Sequence, residues 1–377
     1  MIRLTIPSIE EDDLQAVRDA LASGSLVQGP RVKAFEKIVA ERVGATHAVA
    51  VSNCTCALHL ALAALDVGPG DLCVVTAYSW ITTANVIELC GARPVFVDID
   101  PKTFNIDLNQ LERVLGRLMS SADTASRVKA VLPVHAFGQV AEMHRLSELC
   151  GRWNVRVVED AACALGATLN GRQAGSWGAM ACFSFHPRKA ITTGEGGMVT
   201  TNDDALARRV RALRNHGQDP EAAQPDFVMP GYNYRLTEFQ AALGLTQMSK
   251  LARIVDARQR AAARYDELLE GTGLEKPSVM PGAGHVYQSY VTLMPAEVAP
   301  RRPEIIRGTR EAGVETQIGT IHMPLTTFYR KKYGHRPGDF PVTDAVAARA
   351  LTLPLYESIT SDEQRMVVDV VLRCIAR

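Results

Sequence analysis

The chain has no charge of one sign to spare. Its 41 lysines and arginines meet 41 aspartates and glutamates, for a formal net charge of zero. A basic excess that would neutralise a phosphate backbone is missing, and so is a like-charge run that would form a tail, so a nucleic-acid partner is not expected. No apolar run approaches the roughly 20 residues of a membrane-spanning helix. The opening MIRLTIPSIEEDDL meets acidic residues too early for a secretory signal. The eight cysteines, Cys54, Cys56, Cys73, Cys90, Cys150, Cys163, Cys182 and Cys374, are scattered without a CxxC pair. In a chain this long that pattern reads as reduced thiols and a cytoplasmic location. Only Cys54 and Cys56 lie close together, and no histidine cluster joins them, so no metal site is expected. There is no internal repeat and no low-complexity segment. A dinucleotide-binding glycine fingerprint is also missing: SNCTC stands where a Rossmann dehydrogenase would need it.

What remains is ordinary globular material, 377 residues with 47% hydrophobic and 22% charged. This length predicts a large and a small domain, and the near-neutral charge favours self-association. Short β-rich runs alternate with helical patterns. HAVAVS (47–52), LCVVTA (72–77), PVFVDI (94–99), VKAVLPV (128–134) and VRVVED (155–160) read as strands. CTCALHLALAAL (54–65), WITTANVIELC (80–90) and the stretch around Val140–Trp153 read as the helices between them. Such alternation predicts a parallel sheet with right-handed crossovers. Ser8-Ile-Glu-Glu11 reads as a capping box opening a helix to about Ala22. After GMVTT (197–201) come long helices, 204–215 and 237–269. The Pro/Gly-rich 276–285 marks a boundary, and YQSYVTLM beyond it reads as a strand of a smaller α+β domain. Residues 319–342 read as a long surface loop.

In open parallel sheets ligands bind beyond the carboxyl ends of the strands, and four features fall there. Ser52-Asn-Cys-Thr-Cys56 puts small residues at a helix start, where free N–H groups cradle a phosphate; the plain alternative is a turn capped by Asn53 or Thr55. Tyr78-Ser79-Trp80 offers an aromatic to stack on a planar ring, or merely to pack in the core. Asp160 closes an apolar strand and needs a cation or strong hydrogen bonds, unless it caps the following residues or forms a salt bridge. Last, FSFHPRKAITTGEGG (183–197) sets Ser184 and Lys189 before a flexible glycine-rich segment. Together these are the parts that hold pyridoxal phosphate: a lysine for the aldehyde and a carboxylate for the ring nitrogen.

The order of motifs resembles that of the DegT/StrS-type sugar aminotransferases over nearly the whole chain. The matching stretches run from SGSLVQGPRVKAFE and SNCTCALHLALAAL through YSWITTAN, PVHAFGQVAEM, EDAACALGA and SFHPRKAITTGEGGMV to GYNYRLTEFQAALGL and LTLPLY. The resemblance implies an α/β fold type I transferase. A large domain with a mostly parallel central sheet and helices on both faces would span residues 1–250, and a smaller C-terminal α+β domain residues 251–377. It implies that Lys189 is the Schiff-base lysine and proton shuttle, that Asp160 pairs with the pyridinium nitrogen and that Trp80 stacks on the ring. Thr55, the Cys54 backbone and Ser184 would hold the phosphate, and Asn233 would reach the phosphate of a partner subunit's cofactor in a homodimer with shared sites. Cys163 stands where many relatives have Gln or His near the cofactor's phenolic oxygen, and Cys54 where many have Gly. The form SFHxxKxITTGEGG resembles relatives that act at sugar carbon 4, which implies a nucleotide-linked 4-keto-6-deoxyhexose as acceptor and L-glutamate as donor. A keto-cyclitol acceptor and a non-catalytic, cofactor-binding regulator are the rival readings. Arg330, Lys331 and Lys332 are candidates for a nucleotide diphosphate or ordinary surface charge. His322 and Tyr290 are candidates for the sugar pocket, and His186 is a neighbour of the lysine.

Overall fold

Seven strands form the central sheet of the computed structural model, which describes residues 1–376. Their order is His47–Val51, Gly197–Thr201, Met180–Ser184, Arg156–Asp160, Val128–Leu132, Leu72–Thr76, Arg93–Val97. From Met180–Ser184 to Arg93–Val97 every neighbouring pair is parallel. Gly197–Thr201 runs against both its neighbours. The reason is the connection: the chain returns from Met180–Ser184 through residues 185–196 with no crossover helix, and a return of this kind pairs strands antiparallel. The segment that makes the return carries Lys189.

Leu72–Thr76, Met180–Ser184 and Gly197–Thr201 are buried along their whole length, as strands covered on both faces must be. On one face lie the helices Pro30–Val43, Leu108–Met119 and Met143–Arg152, which supply Phe35, Val39, Leu111, Leu115 and Leu146 to the core. On the other lie Cys54–Ala64, Thr82–Leu89 and Asp204–Arg214, with Leu58, Leu62, Ile87 and Val210. Their ends follow local chemistry. Asp107 and Asp203 accept backbone N–H bonds at their helix starts, and Gly44 ends Pro30–Val43 in the left-handed region. The first helix, Glu11–Ala22, opens later than the sequence suggests. Its capping box is Glu10 with Asp13, while the Ser8 hydroxyl donates to Glu357 instead.

The 31-residue helix Glu238–Leu268 reaches both halves of the molecule. Its Leu251 and Ile254 join the core under the sheet, and its Ala261 and Tyr265 join a second core with Tyr290, Ile305, Leu353 and Val367. That second core is built on a three-stranded sheet of Tyr290–Leu293, Ala350–Leu353 and Gln317–Ile318. The expected boundary at 276–285 is not a free linker. Ala283–Gly284 pairs with Thr168–Leu169, and Gln139 bonds the Ser278 carbonyl and the Met280 amide.

Residues 319–342 depart most from expectation. They are not a long loop: Ile321–His322 pairs with Tyr78–Ser79, and Thr327–Tyr333 is a helix ended by Gly334 at φ 75°. Tyr329 is buried there and bonds Asn85 at 2.9 Å. Seven residues give too few turns for a helical period to be read.

Beside the cleft-facing end of Arg156–Asp160 lies a buried acid that the sheet uses for its own support. Glu159 is fully buried and accepts from the amides of Gly175, Trp177 and Gly178 and from His135 Nε2 at 2.8 Å. His135 Nδ1 accepts from the Ala141 amide, so Nε2 carries the proton. Burial opposes the charge on Glu159, but His135 and the amides outweigh it and hold the carboxyl below its ordinary range. A depressed acid contributes stability above its unfolded value of about 4.3, and that stability is lost as pH falls through the folded value. Glu159→Gln is therefore expected to destabilise the protein at neutral pH by about 3 kcal/mol. The difference from the parent should shrink below about pH 4; thermal unfolding at both pH values checks it, and an equal deficit at each would refute the charge as the cause.

Candidate active site

A cleft of about 760 Å³ opens where the parallel strands end. The helix Cys54–Ala64 points its N-terminus into it. Asn53 caps that helix by accepting from the Cys56 amide at 2.9 Å, which leaves the Cys54 and Thr55 amides with no carbonyl behind them. Of the alternatives read from the sequence, Asn53 is the cap and Thr55 lines the cleft. Gly197 backs this turn. A Cβ there would sit 2.5 Å from the Asn53 carbonyl, so only glycine lets the strand pass so close.

Asp160 is 4% exposed at the end of its strand. Its Oδ2 accepts from Thr83 Oγ1 at 2.6 Å and its Oδ1 from the Ala162 amide at 3.1 Å. Among the described residues no cation lies within ion-pair distance, and no helix follows for it to cap. The carboxylate thus stands buried with two hydrogen bonds and no ion-pair partner.

Lys189 sits in a turn whose amide donates to the His186 carbonyl at 2.8 Å, and its Nζ donates to Cys163 Sγ at 3.1 Å. Burial lowers the proton affinity of the amine, but Cys163, Cys54 and Asp160 around it offset this and hold it above the ordinary lysine value. The Cys54 thiol goes the same way, pushed well up chiefly by burial. The glycine-rich segment beyond is not slack. Phe185 bonds Gly196, Thr193 bonds back to Phe185, and a Cβ on Gly196 would lie 2.1 Å from Thr193 Oγ1. Glycine serves tight folding there, not freedom.

Ser184 is buried at its strand end, with its hydroxyl accepting from the His186 amide at 3.4 Å. Trp80 is 64% exposed at the cleft rim; Tyr78, not Trp80, is the core aromatic of that segment. Lys189, Asp160, Cys54, Thr55, Trp80, Cys163 and Ser184 thus share one cleft. Asn233 does not. It is exposed, its backbone bridges Asn215, and the helix beyond it is capped by Thr237 with Gln240.

The weaker sugar-pocket candidates fall away. Tyr290 is buried in the second core and donates to Asp266 at 2.6 Å. His322 pairs with Asp344 at 2.9 Å, and Lys332 pairs with Glu88. Neither these nor Arg330 and Lys331 line the cleft, whereas His186 does. Sequence reasoning missed Thr83, whose partner lies 77 positions away, and with it Arg188, Gln288 and Thr320 on the cleft wall. For Thr83 the one local sign is its place in the first turn of the helix after Trp80.

These residues fit pyridoxal phosphate: a buried carboxylate without an ion-pair partner suits a protonated ring nitrogen, and the free amides of Cys54 and Thr55 are what a phosphate takes. The sheet, its covering helices and the cleft at the strand ends are those of the fold type I pyridoxal-phosphate enzymes. The solved structure of the aminotransferase TlmJ from Streptoalloteichus hindustanus superposes with a TM-score of 0.90 at 33% identity, covering 100% of this chain and 99% of that one. The pyridoxal-phosphate form of a putative sugar aminotransferase, Spr1654 from Streptococcus pneumoniae, superposes at 0.91 with 27% identity, covering 100% and 98%. A GDP-perosamine synthase of Caulobacter vibrioides is 38% identical over 89% of this chain and 87% of its own. The model of the DegT/DnrJ/EryC1/StrS aminotransferase family matches residues 7–372, and the chain belongs to that family.

Proposed function

We propose that the protein transfers an amino group from L-glutamate to carbon 4 of a nucleotide-linked 4-keto-6-deoxyhexose. The observation that carries this is the cleft, whose volume is about 760 Å³ and whose lining includes Gln317 and Thr320 as well as Lys189 and Asp160. The sequence SFHPRKAITTGEGG around the lysine favours carbon 4. A relative named GDP-perosamine synthase supports a nucleotide-linked product.

Pyridoxal phosphate supplies an aldehyde that takes up the amino group and a ring that accepts the electron pair left when a proton departs. The protein's part is position and proton transfer. In this reading Asp160 holds a proton on the ring nitrogen, and Thr83 fixes the carboxylate's direction. The Cys54 and Thr55 amides with Ser184 would hold the phosphate, and Trp80 would stack on the ring. Lys189 Nζ would bond the aldehyde and, as general base, would take up and return the proton that the donor loses. Cys163, 3.1 Å from that amine, sets where Nζ rests. The test is to supply holoprotein and glutamate with a panel of nucleotide 4-ketosugars and 3-ketosugars and weigh the products. Amination of 4-ketosugars is expected; amination of 3-ketosugars alone, or of a keto-cyclitol alone, would overturn the assignment.

The functional unit in this proposal is a homodimer in which Asn233 reaches the partner's phosphate site. Its support is that Asn233 is exposed, lies outside its own chain's cleft and is flanked by exposed Phe227, Val228 and Tyr232. Mixing Lys189→Ala subunits with Asn233→Ala subunits tests it. One site of each mixed dimer then has both residues intact, so up to about half the parental activity per mixed dimer should return. Subunit exchange without recovery rules shared sites out.

A further inference from the structure

Once the groups with assigned parts are set aside, two charged side chains of the cleft have no part yet, Arg188 and Glu195, and only the first is a cation. The charged residues lining the cleft are Asp160, Arg188, Lys189 and Glu195. Asp160 faces Thr83, and Lys189 faces Cys163. His186 lines the cleft too, but burial lowers its proton affinity, so it adds no fixed positive charge. Among the described residues Arg188 is then the cleft's one guanidinium.

It is also held, not loose. Its amide donates to His186 Nδ1 at 3.2 Å, and its carbonyl accepts from the Gln288 side chain, so the backbone is pinned on both sides of the residue. At the far end Nη1 donates to Gln317 Oε1 at 3.1 Å across the cleft wall. Among the described residues that is the side chain's only hydrogen bond, and neither Glu195 nor Asp160, the anions of the cleft, forms an ion pair with it. Arg188 is exposed, so the rest of the guanidinium faces open space. Adjacent in sequence, Lys189 is half-buried with its amine at the base, while Arg188 stands at the rim. A molecule that reacts at Lys189 Nζ therefore has Arg188 on the lining of the same cleft.

We propose that Arg188 recognises an oxyanion of the substrate through the guanidinium edge that Gln317 leaves free. The planar fork suits a carboxylate or a phosphate with two parallel N–H bonds. A carboxylate would come from the amino donor, and a phosphate from the nucleotide part of the acceptor. The inference rests on the proposed function for both sources, on its donor for the first and on its acceptor for the second.

The test compares parent, Arg188→Gln and Arg188→Lys as holoenzymes. Calorimetry reads the binding of glutarate, which resembles the donor without its amine, and of GDP, UDP and dTDP. Charge-assisted bonds of this kind lead one to expect about a 10- to 100-fold rise in Kd for Arg188→Gln. Arg188→Lys, a point charge without the fork, should fall between. Loss confined to glutarate identifies the donor's carboxylate, loss confined to the diphosphates identifies the acceptor's phosphate, and loss of both means that the residue serves each in turn. Where a probe binds too weakly to read, KM in the matching half-reaction, followed by cofactor absorbance, takes its place, and a raised KM with kcat within about threefold is expected. Unchanged Kd and KM for donor and acceptor alike overturn the proposal. If no nucleotide ketosugar is aminated, the acceptor reading falls while the glutarate and glutamate measurements still decide the role of Arg188.

Discussion

Lys189→Ala is expected to fold, to bind cofactor and to turn over at no more than about a thousandth of the parental rate. The expectation follows from what the amine is next to. It lies at the base of the cleft, within 3.1 Å of Cys163 and under the influence of Asp160, and among the described residues no other amine lines the cleft. A positioned proton carrier alone is worth about 10²- to 10⁴-fold, and here the same group also bonds the cofactor. Cofactor can still be held by the helix end at Cys54 and Thr55 and by Asp160, so binding and turnover should separate. The measurements are multiple-turnover kinetics and the visible absorbance of the lysine-bound cofactor, both of which should vanish. A variant that keeps turnover within about tenfold of the parent would remove Lys189 from the reaction.

Asp160→Asn should cost about 10²- to 10³-fold in the glutamate half-reaction, with a much smaller loss in cofactor affinity. Asparagine preserves the volume, and its carbonyl oxygen can still accept from Thr83. What it removes is the charge, and an adjacent negative charge is what keeps a ring nitrogen protonated. Without that proton the ring accepts electrons poorly, so the step that suffers is proton loss from the donor. Rapid-mixing absorbance with glutamate alone isolates that step. A half-reaction at the parental rate would leave Asp160 as a binding residue only.

Much of this is legible in the amino-acid sequence alone. The Val-rich runs at 72–77 and 155–160 can only be buried strands, and a carboxylate at the end of one is bound to be unusual. The family resemblance adds roles to Lys189, Asp160 and the helix start at Cys54. The rest depends on distances that sequence does not encode. Thr83 and Asp160 lie 77 positions apart, and nothing near either marks the pair. The antiparallel course of Gly197–Thr201 is decided by the missing crossover helix before it, not by its own residues. Thr327–Tyr333 is too short to show a period, and Tyr329 is hidden among charges. The glycines after Lys189 suggest flexibility, whereas the neighbours of Gly196 and Gly197 leave no room for anything larger and Gly194 sits at φ 78°.

Arg156–Asp160 puts two acids side by side on opposite faces of the sheet. Val157 and Glu159 point toward the helices that bury Phe35 and Leu146, and Val158 and Asp160 toward those that bury Leu58 and Ile87. A strand alternates its sides residue by residue, so one inserted or deleted position before Arg156 that slides this strand by a single place exchanges the faces. The reactive carboxylate would then be buried among the amides that Glu159 now satisfies, and the structural one would open to the cleft. Length variation just before this strand should therefore be tolerated only where the preceding turn absorbs it, and a library of insertions across 150–156 should yield either parental activity or none.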